Sequence, residues 1–321
     1  MAVVVFGSIN LDLIFALPHI PAPGETVLGP TTRIEPGGKG ANQAVAAARD
    51  GATVVMAGAV GRDALADGAL RLLREAGVDV TRVAAVEAST GCAAIAVDPG
   101  GENAICVGSG ANLLATAGQV EDALLQPSNT LVLQMEVPAG ETARLIERAR
   151  GAGMRIVLNL APAAALPEAA LRAVDVLLVN ETEGAWLAGH LGCDASASAL
   201  RAKLGGAAVV WTRGGDGADV AGRDGAASGA EAGTGTAAGI GAERGDGGWH
   251  APAWPIMPVD TTAAGDCFAG VLAHRLDRGE TLRQAVDRAS AAAALCCTRA
   301  GSQSSLPLVA ETDAFVAARA G

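Results

Sequence analysis

The sequence has little positive charge, few aromatic residues and no tyrosine. Its 321 residues include 23 lysines and arginines against 34 acidic residues, which gives a net charge of −11. A chain with this charge is poorly suited to bind a nucleic-acid backbone or an anionic membrane surface. Aromatic residues form 2% of the chain, so stacked rings are not expected to dominate a ligand site. Lysine occurs at Lys39 and Lys203, and Lys39 stands in a glycine-rich turn.

Signals for membranes, disulfides and structural metals are also missing from the sequence. No apolar run reaches the roughly 18 to 20 residues that a membrane-spanning helix needs. The first residues, MAVVVF, lack the basic start of a signal peptide and are typical of a buried strand. Six cysteines show neither a CxxC pair nor metal-ligand spacing. We therefore expect a cytoplasmic protein with no membrane partner.

Short apolar runs alternate with helical patterns along most of the chain. The strand candidates are 2–6, 53–57, 130–134, 155–159, 175–179 and 207–212. The helical stretches lie near 41–50, 63–76, 118–126, 139–151, 181–190 and 196–204. This alternation predicts an α/β fold with a Rossmann-like, mostly parallel central sheet flanked by helices. In such sheets, ligands bind beyond the carboxyl ends of the strands.

Two segments interrupt the alternation, and a third differs in composition. Residues 11–35 and 89–107 have strand–turn–strand patterns and predict a small antiparallel sheet that acts as a lid. We assign 10–35 and 89–107 to this lid, and the remaining parts of the chain, which are 1–9, 36–88 and 108–321, to the core. The stretch 221–248 contains ten glycines and eight alanines in 28 positions, which predicts a flexible insertion.

The segment 259–266, VDTTAAGD, runs directly into a helical pattern. Backbone N–H groups in the first turn of a helix lack partners and attract phosphate. Ala263, Ala264 and Gly265 have no bulk that would block an anion. Asp266 is either a helix cap or a base that takes a proton from the group attacking that phosphate. The segment alone leaves both interpretations open.

Other polar groups follow predicted strands. Gly37–Asn42 is a glycine-rich turn before a helix, but it lacks the GxxxxGK[ST] spacing of a P-loop, and no GxGxxG follows the first strand. Asn10 and Asp12 would point to one side and suit the vicinal hydroxyls of a sugar, unless they belong to a simple turn. Glu136 follows a third strand.

Two further turns also follow predicted strands. Asn180 and Glu183 open a helix, where acidic residues are also ordinary complements of the helix dipole. The turn 212–217, TRGGDG, follows a buried strand and would let a nucleotide approach the backbone closely. The physics of these two turns does not by itself decide between structure and binding.

Taken together, these motifs resemble the ribokinase family of PfkB-type carbohydrate kinases. The matching segments are 7–12, 21–29, 37–49, 100–112, 134–138, 159–163, 180–183, 212–217, 259–266 and 298–307. The resemblance implies in-line transfer of the γ-phosphate of ATP to the terminal hydroxyl of a pentose. It also implies Mg²⁺, activation by K⁺ or another monovalent cation, and a homodimer formed through the lid sheet.

The resemblance also assigns roles to residues. Asp266 is the implied catalytic base, with an anion hole at Ala263, Ala264 and Gly265. The implied sugar-binding positions are Asn10, Asp12, Gly38, Lys39, Asn42 and Glu136. Positions around the nucleotide are Asn180, Thr212, Gly214, Gly217 and Ser290, and Glu183 organises Mg²⁺ and phosphate. The implied monovalent-cation positions are Asp260, Thr262, Cys296, Arg299, Gly301 and Ser305.

The resemblance leaves the substrate open. The set of sugar-binding positions favours ribose, and the alternatives are deoxyribose, fructose, a sugar acid or a nucleoside. A catalytically silent sugar-binding regulator is the alternative from another class, although the chain keeps the base, the glycines and the NxxE motif of 180–183. With so few aromatic residues, adenine is expected to rest on aliphatic and backbone surfaces. Cys267 directly follows the implied base, which predicts inhibition by thiol reagents.

Overall fold

A computed structural model describes residues 1–100, 102–222, 243–244 and 248–319. Most of the insertion predicted at 221–248 lies outside the described residues. Within the described ranges, no helix combines the length and the apolar character that a membrane span requires.

A large sheet forms the centre of the molecule. In chain order its strands are β1 Val3–Phe6, β4 Val54–Gly61, β5 Asp79–Val86, β8 Thr130–Leu133, β9 Arg155–Asn159, β10 Val176–Val179, β11 Ala208–Thr212, β12 Ala218–Ala221, β13 Glu243–Arg244 and β14 Gly248–Ala251. The spatial order is β13-β14-β12-β11-β10-β9-β8-β1-β4-β5. Pairing from β5 to β11 is parallel, whereas β12, β13 and β14 pair antiparallel.

Helices cover both faces of this sheet. They are α1 Lys39–Arg49, α2 Leu65–Glu75, α3 Ala139–Gly151, α4 Glu168–Ala173, α5 Glu181–Leu191, α6 Ala197–Lys203, α7 Ala264–Asp277, α8 Leu282–Cys296 and α9 Val309–Ala317. Along β1, Val3 and Val5 pack with α1, α2, α7 and α8 on one face, while Val4 and Phe6 pack with α3 to α6 on the other. Inner strands such as β1 and β10 are therefore apolar throughout, because both of their faces are buried.

The helix predicted near 118–126 is wrong. The chain there forms two short 3₁₀ turns, Ala117–Gln119 and Asp122–Leu124. Val120 between them is extended, with φ −87° and ψ 99°. A continuous helix would also end at Gln126, because Pro127 disfavours helical geometry in the residue before it.

A second sheet of four strands projects beside the first. Its strands are β2 Asn10–Ala16, β3 Thr31–Gly37, β6 Gly91–Val97 and β7 Asn103–Gly108, in the order β3-β2-β6-β7. The two hairpins are antiparallel as predicted, but the central pair, β2 with β6, is parallel. We call these four strands the lid sheet. Asn10, its first residue, comes four positions after the end of β1, so the sheet begins at the carboxyl edge of the central sheet.

Candidate active site

The N-terminus of α7 is open. Its N-cap residue, Ala263, has φ 61° and makes no side-chain cap bond, and it is the non-glycine residue with positive φ in the described part of the chain. A Cβ added to Gly265 would meet no atom within 4 Å. The first-turn N–H groups at Gly265 and Asp266 have no acceptor within an α-helix. This end of the helix therefore presents unpaired donors and positive partial charge to its surroundings.

Asp266, the third residue of α7, is held by neighbours from α1. Its carboxylate is 6% exposed. The Asn42 amide donates to Oδ2 over 2.9 Å and the Gln43 amide donates to Oδ1 over 2.9 Å. Gln43 in turn accepts a 2.7 Å bond from the amide of Gln134, which follows β8. The carboxylate is thus fixed by a second helix and is not bonded to the start of its own helix as a cap would be.

A polar chamber of about 230 Å³ lies in front of Asp266. Seven predicted site positions line it, namely Lys39, Asn180, Glu183, Thr212, Ala263, Gly265 and Asp266. The rest of the lining is Asn159, Ala161, Leu178, Val179 and Thr261. Lys39 supplies the positive charge among these residues. The carboxylates of Asp266, Glu136 and Glu183 raise the pKa of Lys39 against the opposing effect of burial. The ammonium group therefore stays charged inside the chamber.

Glu183 has a structural duty at the start of α5. The Asn180 side chain accepts from the Glu183 N–H, and the Glu183 carboxylate accepts from the Asn180 N–H, each over 2.9 Å. This is a capping box. Burial raises the pKa of Glu183, against the lowering effects of the Asn180 bond and of Lys39. Glu183 therefore caps its own helix and also lines the chamber.

A larger cleft of about 890 Å³ lies between the lid sheet and the loops that precede α7 and follow α8. Asp12 on β2 lines it, and Asp12 Oδ1 has no hydrogen-bond partner within the described structure. Burial, followed by the charges of Glu136, Glu35 and Asp266, raises the pKa of Asp12 to about 7. The amide oxygen of Asn42 is likewise buried without a partner. Two acceptors are therefore available to a ligand with hydroxyl groups.

The remaining predicted sugar positions are fixed by residues that the sequence motifs did not single out. Asn10 accepts a 2.7 Å bond from the Asn112 amide, and the Asn112 oxygen accepts from the Ile9 N–H just before β2. Glu136 accepts from the Ser8 hydroxyl over 2.6 Å and from the Lys39 N–H over 3.0 Å. Both helper residues, Asn112 and Ser8, lie inside matching segments, so that position in the motif was the available signal.

Gly38 allows these groups to come close together. It is the N-cap of α1, with φ 87°. A Cβ on this residue would lie 2.8 Å from the backbone nitrogen of Asn10. A side chain here is therefore excluded both by backbone conformation and by the close approach of β2.

Four of the five predicted nucleotide positions meet at a third cavity of about 480 Å³, whereas the fifth, Asn180, lines the chamber. Thr212, Gly214, Gly217 and Ser290 all line this third cavity. Gly217 has φ 93°, and a Cβ there would lie 2.1 Å from the Ala251 carbonyl. Most of the wall is apolar: Ala218, Ala253, Trp254, Pro255, Ile256, Pro258, Phe268, Ala293 and Ala294. Trp254 and Phe268 were not anticipated, so two of the few aromatic residues lie where aliphatic and backbone surfaces were expected.

The predicted monovalent-cation positions also come together. Asp260 accepts from the Thr262 N–H over 2.9 Å and from the Gly301 N–H over 3.0 Å. Burial would raise the pKa of Asp260, but these bonds outweigh it and lower the pKa. The Cys296 thiol lies 3.0 Å from the Ser305 hydroxyl. The Arg299 guanidinium pairs with Glu311 at 2.7 Å. The oxygen that Arg299 could offer to a cation is therefore its backbone carbonyl.

Cys267 is not the exposed thiol that its position beside Asp266 suggested. The side chain is 0% exposed. Its hydrogen bond with Cys296, together with burial, raises the pKa of the Cys267 thiol well above its usual value. A buried thiol that remains protonated is a poor nucleophile. The expectation of inhibition through Cys267 is therefore not supported by its surroundings.

The three cavities converge on the loop before α7. Thr261 lines all of them, and Thr212 and Gly265 line both the chamber and the apolar cavity. The chamber with Asp266, Lys39 and Glu183 thus lies between the cleft that Asp12 lines and a cavity with mostly apolar walls. Such an arrangement has room for two different ligands on either side of one carboxylate.

Two proteins with known names match this chain over nearly its whole length. It is 33% identical over 319 residues to the ribokinase of Haemophilus influenzae, with 97% of both chains covered. It is 32% identical over 327 residues to a deoxyribokinase of Salmonella typhi, covering 98% of this chain and 99% of that protein.

Solved structures give the same result. Ribokinase from Thermotoga maritima superposes with a TM-score of 0.85 at 30% identity, over 98% of this chain and 99% of that chain. Ribokinase from Arabidopsis thaliana, complexed with ribose and ATP, gives a TM-score of 0.81 at 26% identity over 98% of both chains. The predicted α/β architecture with a small second sheet is thereby confirmed. Residues 2–308 match the family described as pfkB family carbohydrate kinase, and the chain belongs to that family.

Proposed function

We propose that this carbohydrate kinase transfers the γ-phosphoryl group of ATP to the 5-hydroxyl of D-ribose, with Asp266 as general base. The observation that carries the proposal is the position of Asp266. It lies beside the open N-terminus of α7 in the chamber that joins the hydroxyl-binding cleft to the apolar cavity. The names of the Haemophilus influenzae and Arabidopsis thaliana relatives, the latter bound to ribose and ATP, support ribose and ATP as the ligands.

The cleft beside the lid sheet suits a small polyol. Asp12 and Asn42 offer buried oxygens without protein partners, which the hydroxyl groups of a sugar would satisfy. Asn10, held by Asn112, lies two residues before Asp12 on β2, and Glu136, held by Ser8, is near enough for its charge to act on Asp12. A buried acceptor that is left unpaired costs stability, so a ligand that pairs it is bound selectively.

The apolar cavity suits a nucleobase. We place adenine between Trp254, Ala293 and the glycine turn at Gly214 and Gly217, with Ser290 at one side. Thr212 lines both this cavity and the chamber, so phosphates attached to the nucleoside would extend towards Asp266. Stacking on Trp254 would add to the aliphatic contacts.

The reaction follows from this placement. The sugar oxygen attacks the γ-phosphorus, its proton passes to the Asp266 carboxylate, and the bond from the γ-phosphorus to the β–γ bridging oxygen breaks to release ADP. First-turn N–H groups of α7, in the predicted anion hole at Ala263, Ala264 and Gly265, meet the negative charge on the transferred group. The charged Lys39 ammonium lies in the same chamber and supplies further compensation.

The chamber also has donors that fit Mg²⁺. Magnesium prefers oxygen ligands, uses few carboxylates and retains several waters. Glu183, Asn180 and Asn159 supply such oxygens in the chamber wall. When bound, the ion would neutralise phosphate charge, and Glu183 would hold it directly or through water while keeping its capping bond to Asn180.

A monovalent cation such as K⁺ fits the loop cluster around Asp260. The loop of Asp260 and Thr262 lies against Gly301, and carbonyl and carboxylate oxygens of this kind bind hard cations. This cluster directly precedes Ala263, so cation binding would order the loop that carries the anion hole. The lid sheet would close over the sugar and exclude water, and dimerisation through it belongs to the same proposal.

The test is an assay of ADP release with a panel of sugars, run with and without K⁺. We expect ribose to give the highest kcat/KM, K⁺ to raise the rate, and the product to carry phosphate on the 5-oxygen by phosphorus–proton NMR. The Salmonella typhi relative makes deoxyribose the second candidate. Higher kcat/KM with deoxyribose would replace ribose in the proposal, and ribose binding without ADP release would favour a silent regulator.

A further inference from the structure

Two buried glutamines form a directed chain that ends on Asp266. Gln134, directly after β8, donates to Gln43 over 2.7 Å, and Gln43 donates to Asp266 Oδ1 over 2.9 Å. Both glutamine side chains are 0% exposed. Three separate elements, β8, α1 and α7, are therefore joined through side chains at the carboxylate.

The direction of this chain is fixed by chemistry. An ionised carboxylate only accepts hydrogen bonds, so Gln43 must turn its NH₂ group towards Asp266 and its oxygen towards Gln134. Gln134 must then present its own NH₂ group, which leaves its oxygen at the far end. That oxygen is indeed buried without a partner in the described structure, and a Cβ on Gly7 would lie 1.8 Å from it.

Gln43 is placed to act on Asp266 and not on a ligand. Gln43 is fully buried, and its oxygen and its nitrogen are bonded to Gln134 and Asp266, whereas the oxygen of its neighbour Asn42 has no partner in the described structure. Two donors from consecutive residues of α1, one on each carboxylate oxygen, fix the plane of the carboxylate. A base that is misplaced by about 1 Å loses as much as 10²-fold in rate.

We infer that Gln43, oriented by Gln134, is a positioning residue that holds the Asp266 carboxylate in line with the attacking hydroxyl. This inference rests on the proposed role of Asp266. The chain also accounts for Gly7, because a side chain there would collide with the Gln134 amide and displace it from Gln43.

The test is a double-mutant cycle in kcat. Gln43→Met keeps the length of the side chain but removes the donor, and we expect kcat to fall about 10- to 100-fold with KM for ribose changed by less than about twofold. In an Asp266→Asn background the same change should cost less than about twofold, because the carboxylate to be positioned is gone. Gln134→Met, which does not touch Asp266, should lower kcat several-fold and show the same dependence on background.

The controls separate the possible failures. Gln119→Met removes a part-buried glutamine that bonds the Arg82 carbonyl, outside the site, and should leave kcat unchanged. Equal fold losses for Gln43→Met in the wild-type enzyme and in the Asp266→Asn background would overturn the positioning role while leaving the base in place. An Asp266→Asn variant with normal kcat would overturn both the base and the inference. If Gln43→Met does not fold, the Gln134→Met cycle decides.

Discussion

Two helices of this protein carry an acidic residue at the same position and use it differently. Glu183 is the third residue of α5 and Asp266 is the third residue of α7. Glu183 bonds back to the N–H of its own N-cap, Asn180, and so closes the start of its helix. Asp266 is bonded by Asn42 and Gln43 of α1, and its N-cap, Ala263, offers no side-chain acceptor.

The difference shows what an acid at this position can be made to do. The capping box pairs two donors at the start of α5, the N–H groups of Asn180 and Glu183, within the helix itself. At α7 the carboxylate is directed away, so the helix end keeps its donors for an anion while the acid remains beside them. The first arrangement closes the start of a helix, whereas the second leaves a carboxylate and open donors within one turn, as the proposed base and anion hole require.

The largest expected effect comes from Asp266→Asn. Asparagine has the shape of aspartate and can keep part of the bonding to α1, but it cannot act as the base. We therefore expect kcat to fall by about 10² or more, with sugar binding largely intact. Asp67, the third residue of α2, is the matched control because its side chain is 91% exposed and pairs with Arg74. Initial rates and ribose titration by calorimetry measure both. A loss of similar size in Asp67→Asn would show that any acid at this helix position matters only for folding.

A smaller effect is expected for Glu183→Gln, which removes the negative charge of the side chain but keeps an oxygen that can cap the helix. Glutamine can keep the capping box, so the melting temperature should stay within the range of ordinary surface changes. Loss of the carboxylate should lower the apparent affinity for Mg²⁺ about 10-fold, as for residues around a metal. Glu141→Gln, at the third position of α3, is the control. Unchanged magnesium dependence together with a lower melting temperature would leave Glu183 as a cap alone.

Asp12 extends the comparison to an acid that caps no helix and whose Oδ1 accepts no hydrogen bond within the described structure. Its pKa of about 7 means that the free enzyme ionises this group near neutral pH. Because the charged form is the better acceptor for sugar hydroxyls, kcat/KM for ribose should rise several-fold as the pH rises through about 7. Asp12→Asn should remove that step in a pH profile. A wild-type profile that is flat across this range would argue against Asp12 as a sugar ligand.

The same pKa predicts how stability depends on pH. A folded-state pKa above the ordinary value of 3.8 means that the native state binds this proton more tightly than the unfolded chain does. The resulting stabilisation is present below about pH 4 and is lost as the pH rises through about 7, amounting to at most about 4 kcal/mol. Asp12→Asn should therefore raise the melting temperature at about pH 8 more than at about pH 5, measured by calorimetry.

The smallest effect is expected for Ala263→Gly. An alanine in the left-handed region costs about 1–2 kcal/mol, which glycine avoids. Because glycine also raises the conformational entropy of the unfolded chain, the net stabilisation should be about 1 kcal/mol. Ala64, the N-cap of α2 with φ −69°, is the matched control, and Ala64→Gly should destabilise. Urea unfolding of both variants gives the comparison. The same sign for both would mean that the left-handed geometry of Ala263 is not strained.

The buried strands could be predicted from the sequence because a strand that is covered on both faces is a continuous run of apolar residues. The run 2–6 and the observed Val3–Phe6 differ by one residue, and 130–134 and 155–159 are as close to β8 and β9. Asp79–Val86 was missed because β5 is an edge strand whose residues are mostly half-buried or exposed. The parallel pairing of β2 with β6 depends on contacts between distant segments, which local periodicity does not contain.

The site was predictable as a set of motifs, but its internal contacts were not. Glycines such as Gly38 and Gly217 were marked by composition, and the structure shows positive φ at both. The bond from Gln43 to Asp266 and the position of Trp254 in the apolar cavity depend on how α1, α7 and the approach to α7 pack together. Neither leaves a local pattern in the sequence. The roles assigned to the individual site residues remain predictions.

The bond between Asn42 and Asp266 joins residues 224 positions apart in the chain. A contact of such long range forms late compared with local helices, because closing a large loop costs entropy that later contacts must offset. The bonds that hold the proposed base are thus formed only when the N-terminal and C-terminal parts of the protein have met. During refolding, recovery of kinase activity should lag behind recovery of the helical circular dichroism signal. Kinase activity would then measure the completion of folding.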